Sequence, residues 1–292
     1  MKKFTILIPV FNDWQSLIKL LNEIDSVIGK IEENCEFSCL IINDASTSKI
    51  PDIKLLKNLT SIEIINMKIN KGHARCNAFG LRYLSEKSNN DYVILMDGDG
   101  EDRPSEIRSL VAKIFSNPNT SVVAERIKRS EGLLFKTLYE LHKIIVLIFT
   151  GKNIKFGNYS CLTLLDVKIL SDKKSLWSSF SGTVRKYIKN LNSIESIRGK
   201  RYYGPSQMSF LNLIIHSLSI LAVFKIEVFL RSAIILILTF YLSLKFNSIG
   251  LLIIITLVIF NLVIYLVSLR EKKESLLNSH LDVESKNIIT QQ

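Results

Sequence analysis

The stretch YVILMDGDGEDRPSEI, residues 92–107, joins a buried-strand pattern to a cluster of carboxylates. Four apolar residues, Val93 to Met96, run directly into five acidic side chains, which are Asp97, Asp99, Glu101, Asp102 and Glu106. The chain as a whole is basic, with 38 Lys+Arg against 27 Asp+Glu and a formal net charge of +11. A local concentration of carboxylates in a basic chain indicates a site that receives a positive charge.

Short apolar runs alternate with helical patterns through the first half of the chain. The runs FTILIPV (4–10), FSCLIIND (37–44), SIEIINM (61–67) and DYVILMD (91–97) predict four strands, and SVVAER (121–126) predicts a fifth. The segments 14–30 and 73–87 have helical periodicity. Strands that are continuously apolar are typical of a sheet covered by helices on both faces. The sequence therefore predicts an α/β fold with a mostly parallel sheet.

Polar side chains follow each of the first four predicted strands. They are Asn12 and Asp13, then Asn43 and Asp44, then the residues from Asn66 to Gly72, and finally Asp97 and Asp99. In open parallel sheets, ligands bind outside the carboxyl ends of the strands. We expect these residues to meet at one edge of the sheet and to form a binding site.

Asp97 and Asp99 are the candidates for a metal site. Two carboxylates this close repel each other and raise each other's pKa, and a divalent cation relieves that repulsion. Oxygen ligands favour Mg²⁺ or Mn²⁺, and Mg²⁺ commonly takes one or two protein carboxylates together with substrate phosphates. A calcium EF-hand loop does not fit, because its sixth position would be Asp102 instead of Gly and its twelfth Arg108 instead of Glu. The structural alternative is an acidic turn with Asp102 as the N-cap of the following helix.

Other classes of protein find less support. No GxGxxG follows a strand, no Walker loop is present, and no nucleic-acid-binding motif accompanies the basic charge. The four cysteines lack metal spacing and are expected to be reduced thiols. The four histidines share no spacing, which favours core or surface roles over catalysis. The first apolar run is broken by Pro9 and is interpreted as a strand, not as a signal peptide.

The second half of the chain is strongly apolar. Residues 209–224 resemble a helix in the membrane interface, and residues 229–247 and 249–269 are each long enough to be a span. A buried helical hairpin is the alternative. Basic residues before and after the two spans place both ends in the cytoplasm. The predicted division is 1–205 for a cytoplasmic catalytic domain, 206–228 for an interfacial helix, 229–270 for two transmembrane helices and 271–292 for a polar, disordered cytoplasmic tail.

Four motifs in order carry a family resemblance. IPVFND (8–13), IINDAST (41–47), NKGHARCNAFG (70–80) and MDGDGEDRPSEI (96–107) resemble the family 2 inverting glycosyltransferases of GT-A fold, in particular the dolichol-phosphate mannosyltransferase and bactoprenol glucosyltransferase type. VVAERIKRSEG (122–132) and RGKRYYGPSQMSF (198–210) resemble further segments of that group. The resemblance covers roughly residues 4–245 and implies transfer of a sugar from a UDP- or GDP-linked donor to polyprenyl (undecaprenyl) phosphate.

The resemblance implies a role for each matching residue. On the donor side, Pro9, Phe11 and Asp13 pack against the nucleoside, Asp44 contacts the base or ribose, and Lys71 and Gly72 lie beside the nucleotide. Asp97 and Asp99, with Glu101, hold Mg²⁺ or Mn²⁺ on the diphosphate. On the acceptor side, Arg126 and Arg129 bind phosphates, and Arg201 and Ser206 border the acceptor phosphate. It also implies a multi-pass protein of the inner or plasma membrane, with self-association common among members.

Asn158 marks a departure from the family pattern. The segment 157–161 reads GNYSC where relatives carry GDFRL, so Asn158 joins Asp97, Asp99 and Arg126 in the catalytic set without being able to act as a base. A phosphate acceptor is already anionic and needs little deprotonation, whereas an alcohol acceptor would need a base. Two alternatives follow: transfer to a hydroxyl of a lipid-linked glycan in surface polysaccharide assembly, or an inactive membrane-anchored binding protein.

Overall fold

An eight-stranded mixed sheet with the order β7-β5-β6-β4-β1-β2-β3-β8 is the centre of the fold. The computed structural model describes residues 1–87, 89–128, 133–205, 209–243 and 247–290, and the elements named below lie within these ranges. The strands are β1 Lys2–Val10, β2 Cys35–Asn43, β3 Ser61–Met67, β4 Tyr92–Leu95, β5 Ser121–Lys128, β6 Phe156–Thr163, β7 Leu191–Ile197 and β8 Val283–Thr290. The helices are α1 Trp14–Ile28, α2 His73–Glu86, α3 Ile107–Ser116, α4 Leu133–Thr150, α5 Leu164–Ser171, α6 Phe180–Tyr187, α7 Phe210–Val223, α8 Lys225–Ser243, α9 Asn247–Ser268 and α10 Lys273–Leu277.

The middle of the sheet is parallel, as the apolar runs predict. β1 pairs in parallel with both β2 and β4, and β2 pairs in parallel with β3. The predicted fifth strand is β5, which is parallel to β7 and antiparallel to β6. The predicted α/β fold is confirmed, and the antiparallel strands β6 and β8 are additions that the sequence patterns did not indicate.

Alternate residues of the central strands feed a hydrophobic core on each face of the sheet. Ile6 and Ile8 pack with Leu17 of α1 and Leu110 of α3 on one face. Leu7 packs on the other face with residues of α2 and α6. Because successive side chains of a strand point to opposite faces, both layers of helices are fixed by one continuous apolar run.

A lobe of four helices, α4, α7, α8 and α9, lies beside the sheet domain. Val146, Leu221, Val228 and Ile264, one from each helix, form its buried centre. The outer faces of these helices carry many exposed large apolar side chains. An exposed apolar surface of this extent marks an interaction site or a membrane contact.

One helix in the described part of the chain is long and apolar enough to cross a membrane. Its candidate span is Gly250–Leu277, with a mean hydropathy of 2.8, although the regular helix α9 ends at Ser268 and the remainder is a turn and α10. The predicted second span at 249–269 corresponds to α9. The predicted first span at 229–247 falls partly in α8 and partly outside the described residues, so a pair of transmembrane helices is not confirmed.

The prediction of a disordered tail is wrong. β8 pairs antiparallel with β3 over most of the length of that strand, and Leu276 of α10 is fully buried. The tail was misjudged because β8 is held by backbone hydrogen bonds while most of its side chains are exposed, so it lacks the alternating apolar pattern of a half-buried strand. The sheet domain therefore draws on residues far beyond the predicted boundary at 205.

Candidate active site

The carboxyl ends of β1, β2, β3 and β4 meet at one edge of the sheet and bring the predicted polar residues together. Asn43, the last residue of β2, donates from Nδ2 to Oδ1 of Asn66 on β3 at 2.9 Å. The backbone N–H of Asp44 donates to the carbonyl of Val10 at 2.9 Å. The expected convergence of polar residues at this edge is present in the structure.

Asp44 organises the loop that follows β3. Its two carboxylate oxygens accept the backbone N–H groups of Lys71 and Gly72, each at 2.8 Å, and the residue is only 3% exposed. Gly72 has φ +90°, a conformation that a side chain would strain. Asp44, Lys71 and Gly72 are thus placed together, with the Asp44 carboxylate engaged by the loop backbone.

Asp97 lies at the end of β4 between two polar side chains. Its Oδ1 is 3.1 Å from Nε2 of His73 and accepts a hydrogen bond from Nδ2 of Asn158 at 3.1 Å. Burial raises the pKa of Asp97, but the charge and hydrogen bond of His73, together with the Asn158 bond, outweigh it and hold the pKa well below its usual range. Asp97 is therefore an ionised carboxylate.

Asp99 sits in a less favourable environment for its charge. Its Oδ2 accepts from the Arg201 guanidinium at 2.8 Å, and its Oδ1 accepts from the backbone N–H of Glu101 at 3.0 Å. Burial first, and then the charge of Asp97, raise the pKa of Asp99 to about 6. The surroundings thus favour the ionised form of Asp97 and disfavour that of Asp99.

Arg201 links three parts of the site. Besides Asp99, its guanidinium pairs with the Asp13 carboxylate at the start of α1 and donates to the carbonyl of Tyr203 at 3.1 Å. Asp13 occupies the N-cap position of α1, but its side chain makes no capping hydrogen bond. Arg201 thus pairs with two carboxylates that the resemblance assigns to the donor, whereas the same resemblance implies a position for Arg201 beside the acceptor phosphate.

The segment 198–203 lies across the turn that carries Asp99 and Glu101. The backbone N–H of Gly199 donates to the carbonyl of Glu101 at 2.7 Å, and that of Tyr202 donates to the carbonyl of Asp99 at 2.9 Å. The Glu101 carboxylate pairs with Arg198. The partner of Glu101 is therefore a guanidinium of this segment.

Asp102 has an internal role. Its Oδ2 accepts the backbone N–H of Asp97 at 2.9 Å, and the residue preceding the helical turn at Pro104 is Arg103, so the N-cap role expected for Asp102 is wrong. Burial and the charge of Asp97 raise the pKa of Asp102 to about 7. Arg126 lies 4.0 Å from its Oδ1. Arg126 therefore lies beside Asp102, and its positive charge also helps to lower the pKa of Asp97.

His73 is a site residue that the sequence interpretation missed. Its Nε2 lies 2.9 Å from Nδ2 of Asn158 and 2.9 Å from Nδ2 of Asn77, in addition to its contact with Asp97. Burial lowers the pKa of His73, but the charge and hydrogen bond of Asp97 raise it by a larger amount, so that the net shift is upward. The available signal was its position in NKGHARC directly after the third strand.

Asn12, one of the polar residues expected at this edge, connects two loops of the site. It has φ +53°, and its Oδ1 accepts the backbone N–H groups of Thr47 and Ser48 at 2.8 and 3.0 Å. It therefore ties the loop after β1 to the loop after β2. Of the other predicted residues, Pro9 is buried and Phe11 is 37% exposed. Arg129 and Ser206 lie outside the described residues.

The carboxylate pair fits a divalent cation of the Mg²⁺ or Mn²⁺ type that takes its other ligands from substrate and water. The described ranges contain no group of three or more His, Cys, Asp or Glu side chains placed to hold a metal. Two carboxylates are, however, the usual protein share at a site completed by phosphate oxygens. The raised pKa of Asp99 indicates a buried negative charge that a cation would stabilise.

The fold and this site together define an α/β protein with a pair of aspartates at the carboxyl edge of its sheet. A family model described as Glycosyl transferase family 2 matches residues 5–180, and the chain belongs to this family. The resemblance to family 2 glycosyltransferases that the four motifs carry is confirmed.

Curated relatives narrow the comparison. The chain is 24% identical over 221 residues to an undecaprenyl-phosphate 4-deoxy-4-formamido-L-arabinose transferase of Proteus mirabilis, covering 73% of this chain and 64% of that protein. The same named transferase of Salmonella choleraesuis is 24% identical over 223 residues, with the same coverage. The chain thus spans about 64% of the length of these relatives.

Solved structures support the fold. Glucosyl-3-phosphoglycerate synthase from Mycobacterium tuberculosis, in complex with Mn²⁺, UDP and phosphoglyceric acid, is similar with a TM-score of 0.52 and 10% identity, covering 78% of each chain. The same enzyme with Mn²⁺, UDP-glucose and phosphoglyceric acid has a TM-score of 0.51 and 11% identity, covering 78% of this chain and 80% of that chain. At this identity the likeness shows the fold alone.

Proposed function

We propose that this chain transfers a sugar from a nucleoside-diphosphate sugar to polyprenyl phosphate at a membrane surface. The observation that carries the proposal is the Asp97–Asp99 pair at the carboxyl edge of the sheet, in a domain joined to a helical lobe with an exposed apolar surface. The relatives named for transfer to undecaprenyl phosphate support the acceptor class. The neighbours solved with UDP, UDP-glucose and Mn²⁺ support the donor class and a divalent cation.

In this proposal, Asp97 and Asp99 are the residues that would hold Mg²⁺ or Mn²⁺, and the bound cation would supply positive charge for the departing diphosphate. Asp44 keeps the 70–72 loop in place beside the nucleotide through two backbone hydrogen bonds. Pro9, Phe11 and Asp13 border the nucleoside. Glu101 stays with Arg198 and is not required as a third metal ligand.

The transfer itself is a single displacement. A phosphate oxygen of the acceptor forms a bond to the anomeric carbon as the bond from that carbon to the donor diphosphate breaks. Asn158, which donates to Asp97, cannot accept a proton from an attacking group, and an anionic phosphate does not require it to. The replacement of the family's acidic residue therefore favours a phosphate acceptor over an alcohol.

The acceptor phosphate is expected near Arg126, and the resemblance implies Arg129 and Ser206 as further acceptor residues. Arg201 would have to leave Asp99 before serving there, because a cation bound to Asp99 would repel its guanidinium. The apolar faces of α4, α7, α8 and α9 would hold the lipid chain in the membrane. Multi-pass topology and self-association remain predictions.

The test is a product assay with the purified full-length protein. UDP- and GDP-linked sugars, Mn²⁺ or Mg²⁺, and undecaprenyl phosphate are supplied, and any lipid product is identified by mass spectrometry. We expect a sugar phosphate lipid whose linkage is cleaved by mild acid, and no product from Asp99→Ala, which should remain in the membrane fraction. An acid-stable linkage, turnover by Asp99→Ala, or nucleotide binding without any product would overturn the proposal.

A further inference from the structure

We infer that the segment 278–286, here called the C-terminal clamp, positions the donor loop 66–72, with Asp282 acting on Lys71. The inference rests on the proposed function for the identity of the ligand, a nucleoside diphosphate. The clamp lies more than two hundred residues after the loop in sequence and reaches it by pairing β8 with β3.

Four contacts join the clamp to the loop. The backbone N–H of Lys68 donates to the carbonyl of Asp282 at 2.8 Å, and Nζ of Lys68 donates to the carbonyl of Leu281 at 2.9 Å. Nδ2 of Asn66 donates to the hydroxyl of Ser285 at 2.8 Å. The Lys71 ammonium pairs with the Asp282 carboxylate. The clamp thus contacts the end of β3 at Asn66 and the residues that follow it at Lys68 and Lys71.

The opposite side of the loop is held by the end of β2. Asp44 accepts the N–H groups of Lys71 and Gly72, and Asn43 bonds to Asn66. The stretch from Lys68 to Asn70 is exposed and lies in neither a strand nor a helix. A loop with this exposure is expected to be mobile unless its ends are fixed. Lys71 is the point where both sets of contacts meet.

The Asp282 pair defines what Lys71 does. Its two side chains are 23% and 24% exposed, so the pair is mostly shielded from solvent, and Lys71 Nζ also lies 5.7 Å from the centre of the Trp177 ring. Because the ammonium of Lys71 is paired with Asp282, Lys71 contributes to donor binding through the position of its backbone, whose N–H donates to Asp44. Asp282 is therefore a positioning residue that acts through Lys71.

Donor binding by full-length variants tests the inference. UDP and GDP are titrated in the presence of Mn²⁺ by calorimetry into wild type, Asp282→Asn, Asp282→Glu and Lys71→Met. Glu284→Gln, which changes an exposed carboxylate two residues further along, is the matched control. We expect Asp282→Asn to raise the nucleotide Kd about fivefold, the effect of losing an ion pair of roughly 1 kcal/mol. Asp282→Glu should restore much of the affinity.

Two further measurements separate positioning from a loss of folding. Asp282→Asn should raise the donor KM and leave kcat, the acceptor KM and the thermal midpoint unchanged, and the double variant with Lys71→Met should be no weaker than either single variant. Hydrogen exchange of residues 68–72 should accelerate in Asp282→Asn even without nucleotide. Unchanged exchange, or an unchanged Kd where wild type binds nucleotide, would refute the clamp. Failure of wild type to bind any nucleotide would instead refute the proposed function, and the exchange result would still decide the clamp.

Discussion

Replacing Asp99 by Asn should stabilise the metal-free protein at alkaline pH while abolishing transfer. Burial and the neighbouring Asp97 raise the pKa of Asp99 from 3.8 to about 6. Between these two values the folded state binds more protons than the unfolded state, so the stability contributed by this group falls as pH rises through the window. Its ionisation is therefore a cost that is fully present above pH 6 and that Asn does not carry.

The magnitude follows from the shift. At about 1.4 kcal/mol per pKa unit, the cost is on the order of 3 kcal/mol at pH 8 and about 1 kcal/mol at pH 4.5. The Asp99 side chain is 17% exposed, so little of this is lost to solvent screening. For a chain of this size the gain corresponds to an increase in Tm of about 6 °C at pH 8 and about 2 °C at pH 4.5. Asn also retains an oxygen that can accept from Arg201.

The assay is thermal unfolding of the detergent-solubilised protein with a chelator present, followed by the fluorescence of the buried Trp14 and Trp177. Asp52→Asn, which removes an exposed carboxylate, serves as the control and should not change Tm. Added Mn²⁺ should raise the Tm of wild type at pH 8 and leave that of Asp99→Asn unchanged. Equal increases in Tm at both pH values, or no increase at pH 8, would show that ionisation of Asp99 does not destabilise the folded protein.

Three further predictions concern neighbouring parts of the site. Gly100→Ala should lower the free energy of unfolding by about 2 kcal/mol or more, because Gly100 has φ +88° and a Cβ there would lie 2.5 Å from the Tyr202 ring. The control Gly204→Ala, at φ +64° with no atom within 4 Å of its Cβ, should cost only the backbone strain. Equal losses of stability in denaturant titrations would argue against the Tyr202 contact. Asp44→Ala should lower the free energy of unfolding by about 3 kcal/mol, since two N–H groups lose their acceptor, and should weaken nucleotide binding in calorimetry; unaltered binding would remove Asp44 from the donor site. Asn158→Asp should place a second carboxylate about 3 Å from Asp97. The added repulsion should lower the Tm of the metal-free protein at pH 8 and tighten Mn²⁺ binding, which electron paramagnetic resonance measures. A higher Tm of the metal-free variant would contradict this.

The parts of the fold that the sequence predicts are those whose signal is local. β1 to β4 are continuous apolar runs, and α1 places Leu17 and Leu21 on one face at helical spacing. β6 was not predicted because Gly157 and Asn158 interrupt its apolar pattern. β8 was not predicted because it pairs along an edge of the sheet with most of its side chains exposed. The antiparallel pairing of β6 between β4 and β5, and of β8 at the edge of the sheet, depends on tertiary contacts that no short window contains.

In the site, too, features with a local sequence signal were predictable and contacts between distant segments were not. The positions of Asp44, Gly72 and the aspartate pair follow from where strands end. Their partners do not, because Arg201 reaches Asp99 and Asp13 from across the chain. A guanidinium that neutralises two carboxylates from so distant a position leaves no trace in local spacing. The residue types at the strand ends were predictable, whereas the ion pairs that Arg201 makes with two of these carboxylates were not.

The pairing of β8 with β3 imposes an order on biosynthesis. The ribosome makes β3 early, but its partner emerges only after the apolar helices α7, α8 and α9. Until then the outer edge of β3 lacks its antiparallel neighbour, and the loop next to it lacks Asp282. Such a distant pairing is slow to form. The edge of the sheet beside the loop after β3 would therefore be completed only after the apolar helices have been synthesised.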